Sequence, residues 1–358
     1  MKIFFRVDAS IQIGAGHVMR CLSLADRLKK KGYQCIFLSR PHTGHLNDLI
    51  ASKGYGIQPI EFDEFDSGSK HKLVWNAHAH WLGATWHSDA EKTNLVLGKE
   101  LPDWLIVDHY ALDSCWEKKV TPYVGKIMVI DDLADRKHEC DFLLDQTFGR
   151  ESSDYSGLVP TSCKVLTGAH YSLLRDEFTE WREKSLRRRE NGVLRNILIS
   201  MGAMDKDNYT SNVMKALRSC NLPDDVVITV VMGSNAPWIS DVMKIAADMP
   251  WDTKVKVDVK SMAKLMCDAD LAIGAAGSTS WERCTLGLPS IQIVIAKNQR
   301  FIAHSLAEVG AVKALEDLYQ LPTLIKTAPD WMSLVSQNCR LITDGKGMDK
   351  VVSKLEKL

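Results

Sequence analysis

The sequence carries no net charge, because 45 Lys and Arg stand against 45 Asp and Glu. That balance excludes the basic footprint of a nucleic-acid binder, so an anionic ligand has to be met by local donors. No apolar run approaches the length of a membrane span, and no charged segment followed by an apolar one opens the chain. These absences point to a soluble, cytoplasmic protein with neither a nucleic-acid nor a membrane partner. Nine cysteines scatter from Cys21 to Cys339 without a Cys-X-X-Cys pair and read as reduced core thiols. What remains is ordinary for a globular protein: 45% hydrophobic and 25% charged residues. At 358 residues the chain exceeds what one core usually holds, so two domains are expected.

The chain is organised around Ile13-Gly14-Ala15-Gly16-His17-Val18-Met19-Arg20. Lys2 to Val7 reads as a strand, and Val18, Cys21, Leu22, Ala25 and Leu28 recur at helical spacing. The glycines therefore fall in a strand-to-helix turn. Without a Cβ, such a turn is tight and lets a ligand approach the backbone, while the helix start offers free N–H groups to an anion. His17 stands in the first turn of that helix, where the dipole disfavours an imidazolium and leaves a neutral, proton-accepting ring. The plainer alternatives are a turn that packs strand on helix and a histidine that caps or packs.

Strands alternate with amphipathic helices along the whole chain, which predicts parallel α/β sheets. In the first half they are Gln34 to Leu38, Trp104 to Asp108 and Lys126 to Ile130. The last two end in Asp108-His109-Tyr110 and Asp131-Asp132, polar residues aimed at the crevice beyond the strand ends, where α/β sheets collect ligands. Asp131 and Asp132 serve equally well as turn caps. Between Phe62 and Thr93, His78, His80 and His87 fall close together. His-X-His lacks a third ligand at a recognisable spacing, so the stretch reads as a loop or helix near the crevice rather than a metal site. The charged run Arg187 to Gly192 reads as an interdomain connection.

The second half repeats the arrangement. Asn196 to Ser200 leads into Met201-Gly202-Ala203-Met204-Asp205 and a helix, and further strands follow at Val226 to Val231, Lys254 to Val257, Leu271 to Ile273 and Ser290 to Val294. Gly274-Ala275-Ala276-Gly277-Ser278-Thr279-Ser280-Trp281-Glu282 again passes from a strand through glycines into a helix. That loop offers Gly277 N–H and the Ser278 and Thr279 hydroxyls to a diphosphate, with Glu282 able to accept from ribose hydroxyls. The structural alternative is a Ser278 or Thr279 cap with Glu282 completing a capping box. Asn298 and Gln299 supply further amides. The expected architecture is α/β: two Rossmann-like doubly wound domains with an interdomain cleft, residues 1–185 and 193–340, followed by a helix over 341–358.

The blocks at Ile13 to Leu22, His80 to Gly83, Asp108 to Tyr110, Asp131 to Arg136, Leu143 to Gln146 and Tyr171 to Phe178 together resemble a known family. It is the hydrolase family of the pseudaminic-acid pathway, which acts on UDP-2,4-diacetamido-2,4,6-trideoxy-β-L-altropyranose. The resemblance runs to about Gly310. It implies a glycosyltransferase-B-like fold, a metal-independent and cofactor-free hydrolase, and a small-molecule UDP-sugar as the binding partner. By the same resemblance His17 is the catalytic base. The residues matching Gly277, Ser278, Thr279 and Glu282 belong to its UDP site and Asn298 to substrate binding; beside these, the residues themselves put Gly14, Gly16, Arg20 and Gln299 at the substrate and Gly202 at UDP, with Asp108 or Tyr110 orienting His17 or the sugar. Ala203 stands where a second glycine is usual and Thr147 where an asparagine is. A UDP-sugar-dependent transferase, a hydrolysing 2-epimerase and a non-catalytic nucleotide-sugar binder share the same pattern.

Overall fold

The computed structural model describes residues 1–62, 76–189 and 193–358. Part of the histidine-bearing stretch, 63–75, and the last three residues of the charged run, Glu190, Asn191 and Gly192, lie outside the described residues. The chain divides into two compact units, Met1–Leu173 with Met348–Leu358, and Leu174–Gly347.

In the first unit, seven strands are all parallel, in the order β3-β2-β1-β4-β5-β6-β7. They are β1 (Lys2–Val7), β2 (Gln34–Ser39), β3 (Gly56–Pro59), β4 (Trp104–Asp108), β5 (Lys126–Ile130), β6 (Phe142–Asp145) and β7 (Lys164–Thr167). The run Ile3-Phe4-Phe5 is apolar without alternation because both faces of the sheet are covered. Ile3, Phe5 and Val7 pack with Val18, Leu22, Ala25 and Leu28 of the helix Gly16–Lys30, while Phe4 packs with Leu105, Val107 and Trp116 on the other face. The expected strands appear within a residue or so of their predicted ends. The short β3, β6 and β7 carry too few residues to announce themselves by periodicity.

Six parallel strands form the second sheet, in the order β10-β9-β8-β11-β12-β13. They are β8 (Asn196–Ser200), β9 (Val227–Met232), β10 (Asp252–Val257), β11 (Leu271–Ala275), β12 (Ser290–Ile293) and β13 (Lys313–Leu315). Edge strand β10 is largely exposed and alternates Lys with Val, a pattern that blunts a free sheet edge.

The unit boundaries differ from those expected. The helix Asp176–Arg188 belongs to the second unit: Ser185 Oγ donates to Leu286 O at 2.7 Å and Arg189 Nη2 to Met266 O at 2.6 Å. The last helix, Gly347–Lys357, belongs to the first unit, with Met348, Val351, Val352 and Leu355 buried among residues of β1 and the helix Gly16–Lys30. Among the described residues no helix is long and apolar enough to cross a membrane, and all nine cysteines are free.

Candidate active site

Each sheet reverses direction once. In the first the reversal lies between β1 and β4, whose ends pair Val7 with Asp108. In the second it lies between β8 and β11, where Ser200 pairs with Gly274. Loops diverge at such a switch point and open a crevice at the carboxyl ends of the strands. All three glycine turns singled out in the sequence, after β1, β8 and β11, sit at one of these two places.

In the first unit the turn after β1 closes tightly. Gly14 N donates to Ser10 O at 2.8 Å, and Ser10 Oγ accepts from the Gln12 and Ile13 N–H groups at 3.1 and 3.0 Å. Gly14 has φ +83°, the left-handed region a side chain disfavours. Gly16 then begins the helix, and His17 stands in its first turn with 10% of its side chain exposed.

His17 Nδ1 lies 2.6 Å from Asp108 Oδ1, although the two residues are 91 positions apart. Asp108 is fully buried, and burial alone would push its carboxyl up; Arg20 and His17 outweigh that and hold it well below the ordinary carboxylate range. An ionised carboxylate only accepts, so Nδ1 is the donor and the lone pair falls on Nε2. Among the described residues Nε2 makes no hydrogen bond. Such a pair can work as a base with its orienting carboxylate, as in the histidine–aspartate half of a catalytic triad.

Arg20 donates from Nε to Asp108 Oδ2 at 2.6 Å, from Nη2 to Asp108 Oδ1 at 2.7 Å and from Nη1 to Asp132 Oδ2 at 2.5 Å. Tyr110 OH donates to the same Asp132 oxygen at 2.9 Å. Arg20, Asp108 and Tyr110 are therefore buried groups whose polar atoms already have partners, and of the two roles the sequence left open for Asp108 the contact made is the one with His17. Burial and the Asp132 charge push the Tyr110 phenol well up, so it stays protonated. Asp131 is a cap: its Oδ2 accepts from the Leu133 and Ala134 N–H groups and its Oδ1 from Arg136.

The sequence did not single out Trp81 as a neighbour of the base. Its ring stacks on Tyr110 at 5.6 Å and meets His17 edge-on at 6.4 Å, and His78 tilts against it at 4.6 Å. The only signal was the block His80 to Gly83. His80 also meets Trp81, edge-on at 6.2 Å, whereas His87 joins Glu91 at the surface. Among the described residues no three metal-ligating side chains cluster.

In the second unit, Gly202 follows β8 with φ +100° and open space where a Cβ would stand. The loop after β11 leads into the helix Thr279–Thr285, and Ser278 makes no side-chain bond to that helix, so the capping-box alternative is not realised. Gly277 is open, with Gln299 Nε2 the nearest group at 4.0 Å from a Cβ position. Gln299 Oε1 accepts from Ile295 N at 3.3 Å, while Asn298 is exposed beside it. Burial pushes the Glu282 carboxyl up, partly offset by Arg175 at 3.6 Å. Gly202, Gly277, Ser278, Thr279, Glu282, Asn298 and Gln299 thus cluster along the carboxyl ends of three neighbouring strands.

No family model matches the chain. Over 311 residues it is 29% identical to the UDP-2,4-diacetamido-2,4,6-trideoxy-β-L-altropyranose hydrolase of Campylobacter jejuni, covering 87% of this chain and 97% of that protein. Among solved structures it superposes on MurG of Acinetobacter baumannii with a TM-score of 0.67 at 19% identity, covering 100% of this chain and 99% of that one. The fold is glycosyltransferase-B-like. CalG4, the calicheamicin glycosyltransferase, shares it at a TM-score of 0.64 and 13% identity, over 99% of this chain and 97% of that one. The resemblance read from scattered blocks thus extends over most of the sequence.

Proposed function

We propose that the protein hydrolyses a UDP-linked 2,4-diacetamido-2,4,6-trideoxy sugar to free sugar and UDP, as a step of pseudaminic acid biosynthesis. The observation that carries the reading is the buried Asp108 holding His17 Nδ1, which leaves Nε2 as a base. The similarity to the Campylobacter jejuni hydrolase supports the substrate class.

A nucleoside diphosphate leaves as a stabilised anion, so the reaction needs neither the carboxylic acid of an ordinary glycosidase nor a metal ion. One water must be activated, held in line and given an electrophile. His17 Nε2 takes a proton from that water, its oxygen bonds to the anomeric carbon, and the C–O bond to the diphosphate breaks with inversion. General-base help of this kind supplies about 10²- to 10⁴-fold. N–H groups at Gly202 and around Gly277 and Ser278 receive the charge that develops on the diphosphate. Glu282 accepts from the ribose, and the Asn298 and Gln299 amides contact the substrate.

The test is hydrolysis in ¹⁸O-water with no acceptor present. Label in the sugar and full-rate UDP release are expected. Label in UDP would mean attack on phosphorus, and turnover only after an acceptor hydroxyl is added would mean a transferase. His17→Ala should bind UDP nearly as well as the unmodified protein and lose most turnover.

A further inference from the structure

The two glycines of Gly274-Ala275-Ala276-Gly277 do different things. Gly277 faces open space, whereas a Cβ at Gly274 would lie 2.4 Å from Arg283 Nη1 and 2.6 Å from Ser200 O. Gly274 is glycine because a guanidinium fills the space beside it. Arg283 is 2% exposed, and its Nη2 donates to Ala275 O at 2.7 Å and Ser280 Oγ at 3.2 Å. Ser280 Oγ in turn accepts from Gln292 Nε2 of β12 at 3.1 Å. The chain Arg283, Ser280, Gln292 thus ties the back of the loop to β11 and β12.

Among the described residues this cation has no carboxylate in ion-pair contact, and Glu282 acts on it only at longer range. Its Nε is buried without a partner among those residues, and the adjacent Glu282 faces Arg175. The other buried arginines are treated differently. Arg6, Arg20, Arg40 and Arg136 each hold a carboxylate. Arg189, also without one, sits on the carbonyls of Met266 and Cys267 at the end of the helix Met262–Asp268, where the dipole is negative. Burial pushes the Arg283 guanidinium down to about 10, still charged near neutrality. An isolated buried charge is costly and is retained where something compensates it.

We propose that Arg283 is a positioning residue that supplies a buried counter-charge for the diphosphate and braces the loop from Gly274 to Thr279 from behind. The inference rests on the reading of that loop as the diphosphate site. The ligand's own charge then supplies the ion pair that no carboxylate of the described residues makes, and the carbonyl of Ala275 keeps the guanidinium fixed.

The experiment compares the full-length protein with Arg283→Gln, Arg283→Met and Arg283→Lys by titration calorimetry with UDP, inorganic pyrophosphate and uridine, with folding followed by circular dichroism. In the neutral variants, UDP and pyrophosphate affinities should fall about 10- to 100-fold, the range of one lost charge-assisted contact, while uridine changes by less than about twofold. Arg283→Lys should retain most of the UDP affinity. A neutral variant that binds UDP normally, or loses UDP and uridine affinity equally, overturns the counter-charge. So does the failure of both neutral variants to fold while Arg283→Lys folds, since the charge would then serve the fold alone. Unmodified protein that binds UDP no better than uridine refutes the diphosphate loop itself, a different failure.

Discussion

Asp108→Asn removes a charge without changing the shape of the side chain, and three bonds set its effect. Asp108 Oδ1 takes His17 Nδ1 at 2.6 Å and Arg20 Nη2 at 2.7 Å, and Oδ2 takes Arg20 Nε at 2.6 Å. An amide has one acceptor oxygen for these three donors; with that oxygen kept on Arg20 Nε its nitrogen faces Nδ1 and donates to it, which moves the imidazole proton to Nε2 and removes the lone pair that would accept a proton from water. The expected loss in kcat is therefore the whole general-base factor, about 10²- to 10⁴-fold. Arg20 keeps Asp132 but loses its main partner, and breaking a buried pair costs about 3–5 kcal/mol. Urea unfolding measures the second quantity, and continuous UDP-release kinetics on the proposed UDP-diacetamido sugar measures the first. UDP affinity should hold, because Asp108 belongs to a different unit from the glycine loop around Gly277. A folded Asp108→Asn protein with unimpaired kcat would refute the role given to this pair.

Gly274→Ala should cost about 1–3 kcal/mol by forcing Arg283 and the Ser200 carbonyl apart, whereas Gly277→Ala, with no heavy atom nearer than 4.0 Å, should leave stability within about 0.5 kcal/mol; paired thermal melts decide it. Leu355→Ala, at 1% exposure in the core of the first unit, should lose about 2–5 kcal/mol in urea unfolding, and a negligible change would mean that the last helix is not docked there. Asp8, Asp89, Asp108 and Asp131 are all held below the ordinary carboxylate range, chiefly by Arg6, Arg20 and Arg136 working against burial. The unfolded chain then binds more protons than the folded one, so their stabilisation is complete above about pH 4 and drains away as the pH falls further. An unfolding midpoint that stays flat through that acid range would contradict these pairings.

Much of the fold was legible because its signals are local. Ile3-Phe4-Phe5 and Asn196 to Ser200 are apolar runs bounded by glycine turns, and the helix after Gly16 repeats its apolar residues every three or four positions. His17 was legible for the same reason, as a titratable residue on a glycine turn. Its dependence on Asp108 was only half legible. Strand β4 visibly ended in a polar residue, but which atom that residue would touch depends on β1 and β4 lying side by side.

Local chemistry, then, determined the elements, their parallel arrangement and the three glycine turns, since backbone propensity and hydrophobic spacing act over a few residues. Tertiary structure alone decided the rest. Strand order brought Asp108 and Asp132 against His17, Arg20 and Tyr110. Core packing moved the last helix into the first unit. It also buried Arg283, a charged residue that no periodicity marks, because the partners of a buried polar group are supplied by segments distant in the chain.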